Sequence, residues 1–139
     1  MSRDQDRVQR FHSGGPWETE VGYSRAIRVG DRVLVSGTTA ARGEEPIPED
    51  AGEQAQLALE TIERALEQAG SELRDVIRTR VFVVDIAANG DAVLTAYGAA
   101  LRGARPTIST LGVSALVDPR LKVEIEVEAI VGAGAVYEG

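Results

Sequence analysis

Cysteine is absent from the 139 residues, and histidine occurs once, at His12. The first absence excludes a disulfide frame, a thiolate zinc site and a cysteine nucleophile. The second excludes a metal site built from several histidines of one chain. Neither a metal nor a cofactor is expected. No apolar run approaches the ~20 residues that a membrane-spanning helix needs. The start, Met-Ser-Arg-Asp-Gln-Asp-Arg, lacks the apolar core of a signal peptide. These absences lead to the expectation of a cytoplasmic protein with no membrane partner. Positive charge is in the minority, with 15 Lys and Arg against 22 Asp and Glu, a formal net charge of −7. A sequence-independent nucleic-acid binder needs a basic surface to displace counterions, so no nucleic-acid partner is expected.

What remains is ordinary globular material: 43% hydrophobic and 27% charged residues, in a length suited to one compact domain. Residues 1–16 read as a polar arm closed by the turn signal Ser13-Gly-Gly-Pro16, with His12 and Trp17 as arm residues. Residues 17–132 form the domain, and 133–139 a tail. Arg25–Val29 and Arg32–Ser36 flank Gly30-Asp31 and predict a hairpin. Asp50 and Glu53 have the spacing of a helix-opening capping box. Ala55, Ala58, Leu59, Ile62, Ala65, Leu66 and Ala69 then share one helical face, and Gly70 stops the helix. Residues 77–86 read as a strand with Ile77, Thr79, Val81 and Val83 on one face and Arg78, Arg80, Phe82 and Val84 on the other. A second helix is predicted from about Asp91 to Leu101, and Thr107 to Leu116 is β-rich.

The last strand is the most informative stretch. In Leu121-Lys-Val-Glu-Ile-Glu-Val-Glu-Ala-Ile-Val131, Val123, Ile125, Val127 and Ala129 alternate with Glu124, Glu126 and Glu128. Alternation puts three carboxylates on one face, roughly 6.5–7 Å apart along the strand. Such a row repels itself unless cations face it or one member is held protonated. Arg78 and Arg80 share a face at the same spacing, so Arg–Glu cross-strand pairs follow if the two strands are neighbours. The order of elements predicts an α+β layer with both helices on one face of a mixed sheet and the charges on the other.

The chain resembles the Rid family, the reactive-intermediate deaminases also called YjgF-like proteins, some of which bear an endoribonuclease name. The matching pieces are Gly22-Tyr-Ser-Arg-Ala26, Val33-Leu-Val-Ser-Gly37, Arg78-Thr-Arg-Val-Phe-Val83, Arg105-Pro106 and Asp118-Pro-Arg-Leu-Lys-Val-Glu-Ile-Glu126. The resemblance implies a chorismate-mutase-like α+β fold, a homotrimer, and small-molecule clefts between subunits. It implies hydrolysis of reactive imines and enamines to carbonyl compounds and ammonia. It also places Tyr23 on the cleft wall, Ser36 and Gly37 on its floor, and Glu124 beside the reacting water; Glu126 fits the family position if the repeat slides by two. The family's carboxylate-clamping Arg is missing, because Pro106-Thr107-Ile108 stands where deaminating members have Pro-Ala-Arg. Ile108 offers neither charge nor donor.

On these residues Glu124 is the candidate acid–base group, and an ion pair with Arg78 or Arg80 is its structural alternative. Tyr23, Ser36, Gly37 and Ile108 are candidate substrate contacts. Arg25, two residues from Tyr23, is the candidate substitute anion anchor. Beside Ile108 the cleft is expected to be apolar, with its polar groups confined to Tyr23, Ser36, Gly37 and Glu124. Two functions stand: an enzyme acting on an imine, enamine or related reactive carbonyl compound, and a non-catalytic trimer that binds a ligand or partner.

Overall fold

Helix α1 (Ala51–Gln68) begins where the capping box predicts, with the Asp50 side chain accepting the Glu53 N–H. Its apolar stripe, from Ala55 to Ala69, is buried. It packs on Val33 and Val35 of β3 (Arg32–Thr38) and on the Val123-Ile125-Val127 face of β6 (Val123–Ile130). Each large aliphatic side chain removed from water here contributes about 1.5–3 kcal/mol. Gly70 takes φ +83 just past the helix end, a conformation that glycine adopts without steric cost.

The computed structural model describes residues 7–136. One six-stranded sheet has the order β1-β2-β3-β6-β4-β5. Its remaining strands are β1 (Val8–Phe11), β2 (Ala26–Val29), β4 (Val76–Val84) and β5 (Thr107–Val113). Only the β4–β5 pair is parallel. Helix α2 (Ile86–Leu101) lies beside α1 and on β4 and β5. Both helices cover one face of the sheet, as the pattern predicts. Buried Gln54 ties this layer together: its amide donates to the Pro48 and Arg120 carbonyls and accepts from the Lys122 N–H.

The structure corrects the sequence reading at three places. The polar segment read as an arm supplies β1, which pairs with β2 through Val8↔Val29 to Phe11↔Ala26. Helix α2 starts at Ile86 rather than near Asp91, with Asp85 at φ 53 ahead of it and the Asn89 amide donating to the Val84 carbonyl. On β4 the buried residues are Val76, Thr79, Val81 and Val83, whereas Ile77 is exposed. An irregularity between Val76 and Arg78 inserts Ile77 as an extra residue and shifts the phase of the strand.

Candidate functional site on the open sheet face

The face away from the helices is organised in cross-strand rows. One row runs Thr107, Arg78, Glu128, Leu34, Ile27, Arg10 across all six strands. The next places Ser109, Arg80 and Glu126 together, and the third Leu111, Phe82 and Glu124. The Glu residues therefore have different partners. Arg80 Nη1 lies 2.6 Å from Glu126 Oε1. Glu128 pairs with Arg32 of β3, whose Nε donates at 3.0 Å, and not with Arg78 beside it. Glu124 faces Phe82 and pairs with neither Arg78 nor Arg80, which removes the ion pair considered for it.

The place of Glu124 is set by a bulge in β3. Val35 pairs with Val127 and Thr38 with Ile125, so Ser36 and Gly37 together oppose the single residue Glu126. The extra residue turns both toward the open face while Val35 and Thr38 stay buried. The Glu124 side chain lies over Gly37, where a Cβ would come within 2.8 Å of its Cδ. Glycine is thus required for the carboxylate to approach the backbone. Among the described residues no group donates a hydrogen bond to Glu124. Burial, then the nearby Glu126 charge, push its carboxyl above the usual 4.5, and the Arg25 guanidinium opposes them.

Arg25 joins this cluster. Its Nη2 donates to the Gly37 carbonyl at 3.0 Å, and its guanidinium carbon lies 5.6 Å from the centroid of the Tyr23 ring. Its Nε is buried without a hydrogen-bond partner. Ser36 is committed: its N–H donates to the Arg25 carbonyl and its Oγ to the Ser24 carbonyl. Both Ser36 donors are therefore taken by the protein's own backbone.

Tyr23, Arg25, Ser36, Gly37 and Glu124 come together; Ile108 does not. It sits on edge strand β5, three strands from β3, in register with Thr79. Partners in a parallel pair point to the same face, and the Thr79 hydroxyl is 2.6 Å from that of Tyr97 on α2. Within one chain Ile108 thus belongs to the helix-bearing side.

Sequence reasoning missed a second group of residues. A groove of about 810 Å³ crosses the open face, walled by His12, Glu18 and Tyr23 at one end and Arg78 and Arg80 at the other. Its lining is charged, and Ile108 is not part of it. Pro16–Gly22 form a helical turn ending in a π-helix over Glu18–Gly22. That turn buries Glu18, whose carboxylate accepts the Ser13 N–H and hydroxyl and lies 3.5 Å from His12 Nδ1. His12 is thus part of the groove wall. Being the only histidine was its one visible signal, since nothing in the local pattern brings residues 10–12 onto the sheet. Among the described residues no cluster of His, Cys, Asp and Glu could hold a metal ion, and no helix is long and apolar enough to cross a membrane.

A mixed sheet with two helices on one face and a grooved, charged opposite face defines an α+β protein suited to small ligands. The chain belongs to the Endoribonuclease L-PSP family, also known through its YjgF, RutC and Rid members, and residues 16–131 match the family. A YjgF-family protein of Mycobacterium tuberculosis has a similar crystal structure, with TM-score 0.82 and 42% identity, covering 89% of this chain and 99% of that one. An uncharacterized protein of Streptomyces coelicolor is 40% identical over 129 residues, 92% of this chain and 96% of the relative. A RutC family protein of Haemophilus influenzae is 37% identical over 67 residues, 46% of this chain and 50% of its own. Membership supports a small-molecule deaminase or endoribonuclease-like role at the level of the family, in which some members deaminate imines and enamines.

Proposed function

We propose that the protein is a water-dependent hydrolase of an imine, enamine or related reactive carbonyl compound, with Glu124 as its acid–base group. One observation carries this reading. Glu124 is the member of the carboxylate row without an ion-pair partner, half-buried on Gly37, with its pKa raised toward the range in which a carboxyl group exchanges protons.

For an imine, Glu124 takes a proton from water as the water oxygen bonds to the imine carbon and the C=N electron pair moves to nitrogen, and Glu124 then gives that proton to the nitrogen. The resulting carbinolamine loses ammonia as its C–N bond breaks. The hydroxyl proton returns through Glu124 to the departing nitrogen, and the carbonyl forms. Imine plus water thus gives carbonyl compound plus ammonia. Tyr23 and the Gly37 backbone form the walls, and Arg25 holds the polar end of the substrate. Ile108 in place of the family's Arg argues against simple amino-acid-derived imines, since a buried carboxylate needs a charged partner. The working unit in this reading is a homotrimer with clefts between subunits, and the charged open face is the surface a second copy would cover.

The alternative is a non-catalytic trimer that binds a ligand or partner. Its specific support is the commitment of Arg25 Nη2 and both Ser36 donors to the protein's own carbonyls. A screen of imines and enamines, with ammonia release as the readout, separates the two. Turnover by the natural chain and its loss in Glu124→Gln support the enzyme. Ligand binding without turnover in both leaves the binding protein.

A further inference from the structure

We propose that Arg25 is a positioning residue for Glu124: through the Gly37 carbonyl it holds the β3 bulge in the shape that supports the carboxylate, and the same bond keeps it beside that carboxylate as a charge that does not pair with it. The activity side of this inference rests on the hydrolytic reading above; the titration side does not.

A bulge leaves its extra residue without ladder partners, and here side chains take their place. The Ser36 carbonyl accepts the Thr38 hydroxyl at 2.7 Å, and the Gly37 carbonyl accepts Arg25 Nη2 at 3.0 Å. The Ser36 N–H donates to the Arg25 carbonyl at 2.9 Å. Arg25 therefore grips the bulge twice, once with its backbone and once with its side chain. The grip leaves Nε buried without a partner. Buried donors are normally paired, so hydrogen bonding alone does not select this orientation. With Nη2 on Gly37 and Nε enclosed, Nη1 is the donor that remains for the polar end of a substrate.

A fork on Glu124 is the arrangement that Arg25 forgoes. The effect of such a fork is visible at Asp118, where Arg120 donates from Nε at 3.1 Å and from Nη2 at 2.8 Å. Those side-chain bonds, with the Arg120 N–H, hold the Asp118 carboxyl at about 2. Glu124 receives no such bond, and Arg25 only opposes a rise that burial and Glu126 drive. The Gly37 carbonyl thus acts as a stop that keeps the cation from neutralising the acid–base group. The other charges around Glu124 are engaged elsewhere. Glu126 pairs with Arg80 of β4, and Lys122 donates to the Glu49 carbonyl. Opposite Glu124, β4 presents Phe82, and β3 presents the uncharged Ser36 and Gly37. Tyr23 lies against Arg25.

Carboxyl-carbon NMR of Glu124 in the intact protein, with the pH profile of imine turnover beside it, tests this role. Arg25→Gln removes the charge, and we expect the Glu124 midpoint to move upward. Arg25→Lys keeps the charge on a freer stem, and the midpoint should stay at or below its natural value. In Arg25→Gln turnover should fall about 10–100-fold, as misplacement of a reacting group does, and the acid limb of the pH profile should move upward with the midpoint. A chain without imine turnover whose midpoint still moves as expected keeps Arg25 in this role and sinks only the hydrolytic reading. Turnover that depends on Glu124, with an unmoved midpoint and acid limb in Arg25→Gln, sinks this role alone. The role is also overturned if Arg25→Lys raises the midpoint as Arg25→Gln does, or if the natural Glu124 titrates at or below the ordinary 4.5, as a direct pair would make it. The titrations of the natural chain and of Arg25→Lys decide the matter even if Arg25→Gln fails to fold.

Discussion

Glu124 and Asp75 are two carboxyl groups withdrawn from water that the protein moves in opposite directions. Asp75 sits under the C-terminal turn, where Ser71 Oγ donates to it at 2.8 Å and the Gly134 N–H at 2.9 Å. Burial by itself would raise its pKa, but these hydrogen bonds outweigh burial and hold it below the usual 3.8. Glu124 bears the same cost of burial with a like charge at Glu126 and no hydrogen-bond donor, and its pKa rises. Asp75 is thus a clasp, joining residues 71 and 75 to the chain's end. Glu124 is left with a raised pKa and no hydrogen-bond donor among the described residues.

The widest separation between the two should come from activity. If the hydrolase reading holds, Glu124→Gln lowers turnover by about 10²–10⁴-fold, while Asp75→Asn and Glu126→Gln, measured in folded protein, retain it within about tenfold. Equal loss in Glu126→Gln would dissolve the contrast between the paired and unpaired members of the row.

Stability should show the reverse order. Asp75→Asn leaves an amide where a carboxylate accepted two hydrogen bonds, and we expect a loss of about 1–3 kcal/mol at neutral pH. Because the folded pKa is lowered, the Asp75 contribution is fully present above 3.8 and is lost as pH falls through the folded value. Denaturant titrations of the two proteins should therefore converge in acid. A gap that stays constant down to pH 2 would show that the charge is not what matters.

Gly37→Ala tests the surface beneath Glu124. The added methyl meets the carboxylate, and overpacking of this kind costs about 1–3 kcal/mol. We expect displacement of the side chain, visible as a changed Glu124 carboxyl-carbon shift, together with reduced activity. A variant with natural stability and an unmoved Glu124 signal would mean that the bulge does not set the site.

The smallest effect carries the opposite sign. Glu124 has a raised pKa, so the folded protein binds its proton more tightly than the unfolded chain, and stability declines as pH rises through and above 4.5. Glu124→Gln should be slightly more stable than the natural chain at pH 7, and the gap should close below about pH 4. Greater stability of the natural chain at pH 7 would place Glu124 with Asp75 among the structural carboxylates.

Local periodicity made the frame legible: the alternation of β6, the stripe and capping box of α1, and the two-residue turn at Gly30-Asp31 all show in the residues. The Arg–Glu facing of β4 and β6 was also legible, though its pairing was not. Arg32 reaches Glu128 in place of Arg78, and only a third strand could reveal that. Strand β1 was hidden because Val8-Gln-Arg-Phe carries little strand signal of its own and is ordered by pairing with β2. The bulges at Ile77 and at Ser36–Gly37 change the phase of a strand without changing its composition, so alternation misassigned Ile77. Tyr23, Ser36, Gly37 and Glu124 were named together through the family resemblance and Arg25 through its place two residues from Tyr23, and the fold brings these five near one another. His12 and Glu18 were not named as site residues, because the turn that joins them is a tertiary event.

The β3 bulge has a consequence for how this family can diversify. Because Ser36 and Gly37 share one opposing residue, the ladder on either side is already in register. Removing one of them would regularise the strand without sliding it, keeping Val35 and Thr38 against the helices. The frame and the platform beneath Glu124 are thus encoded separately, one by the repeating strand and the other by a single supernumerary residue. A lineage could shed or regain the platform by a one-codon deletion or insertion while its core stayed as it was.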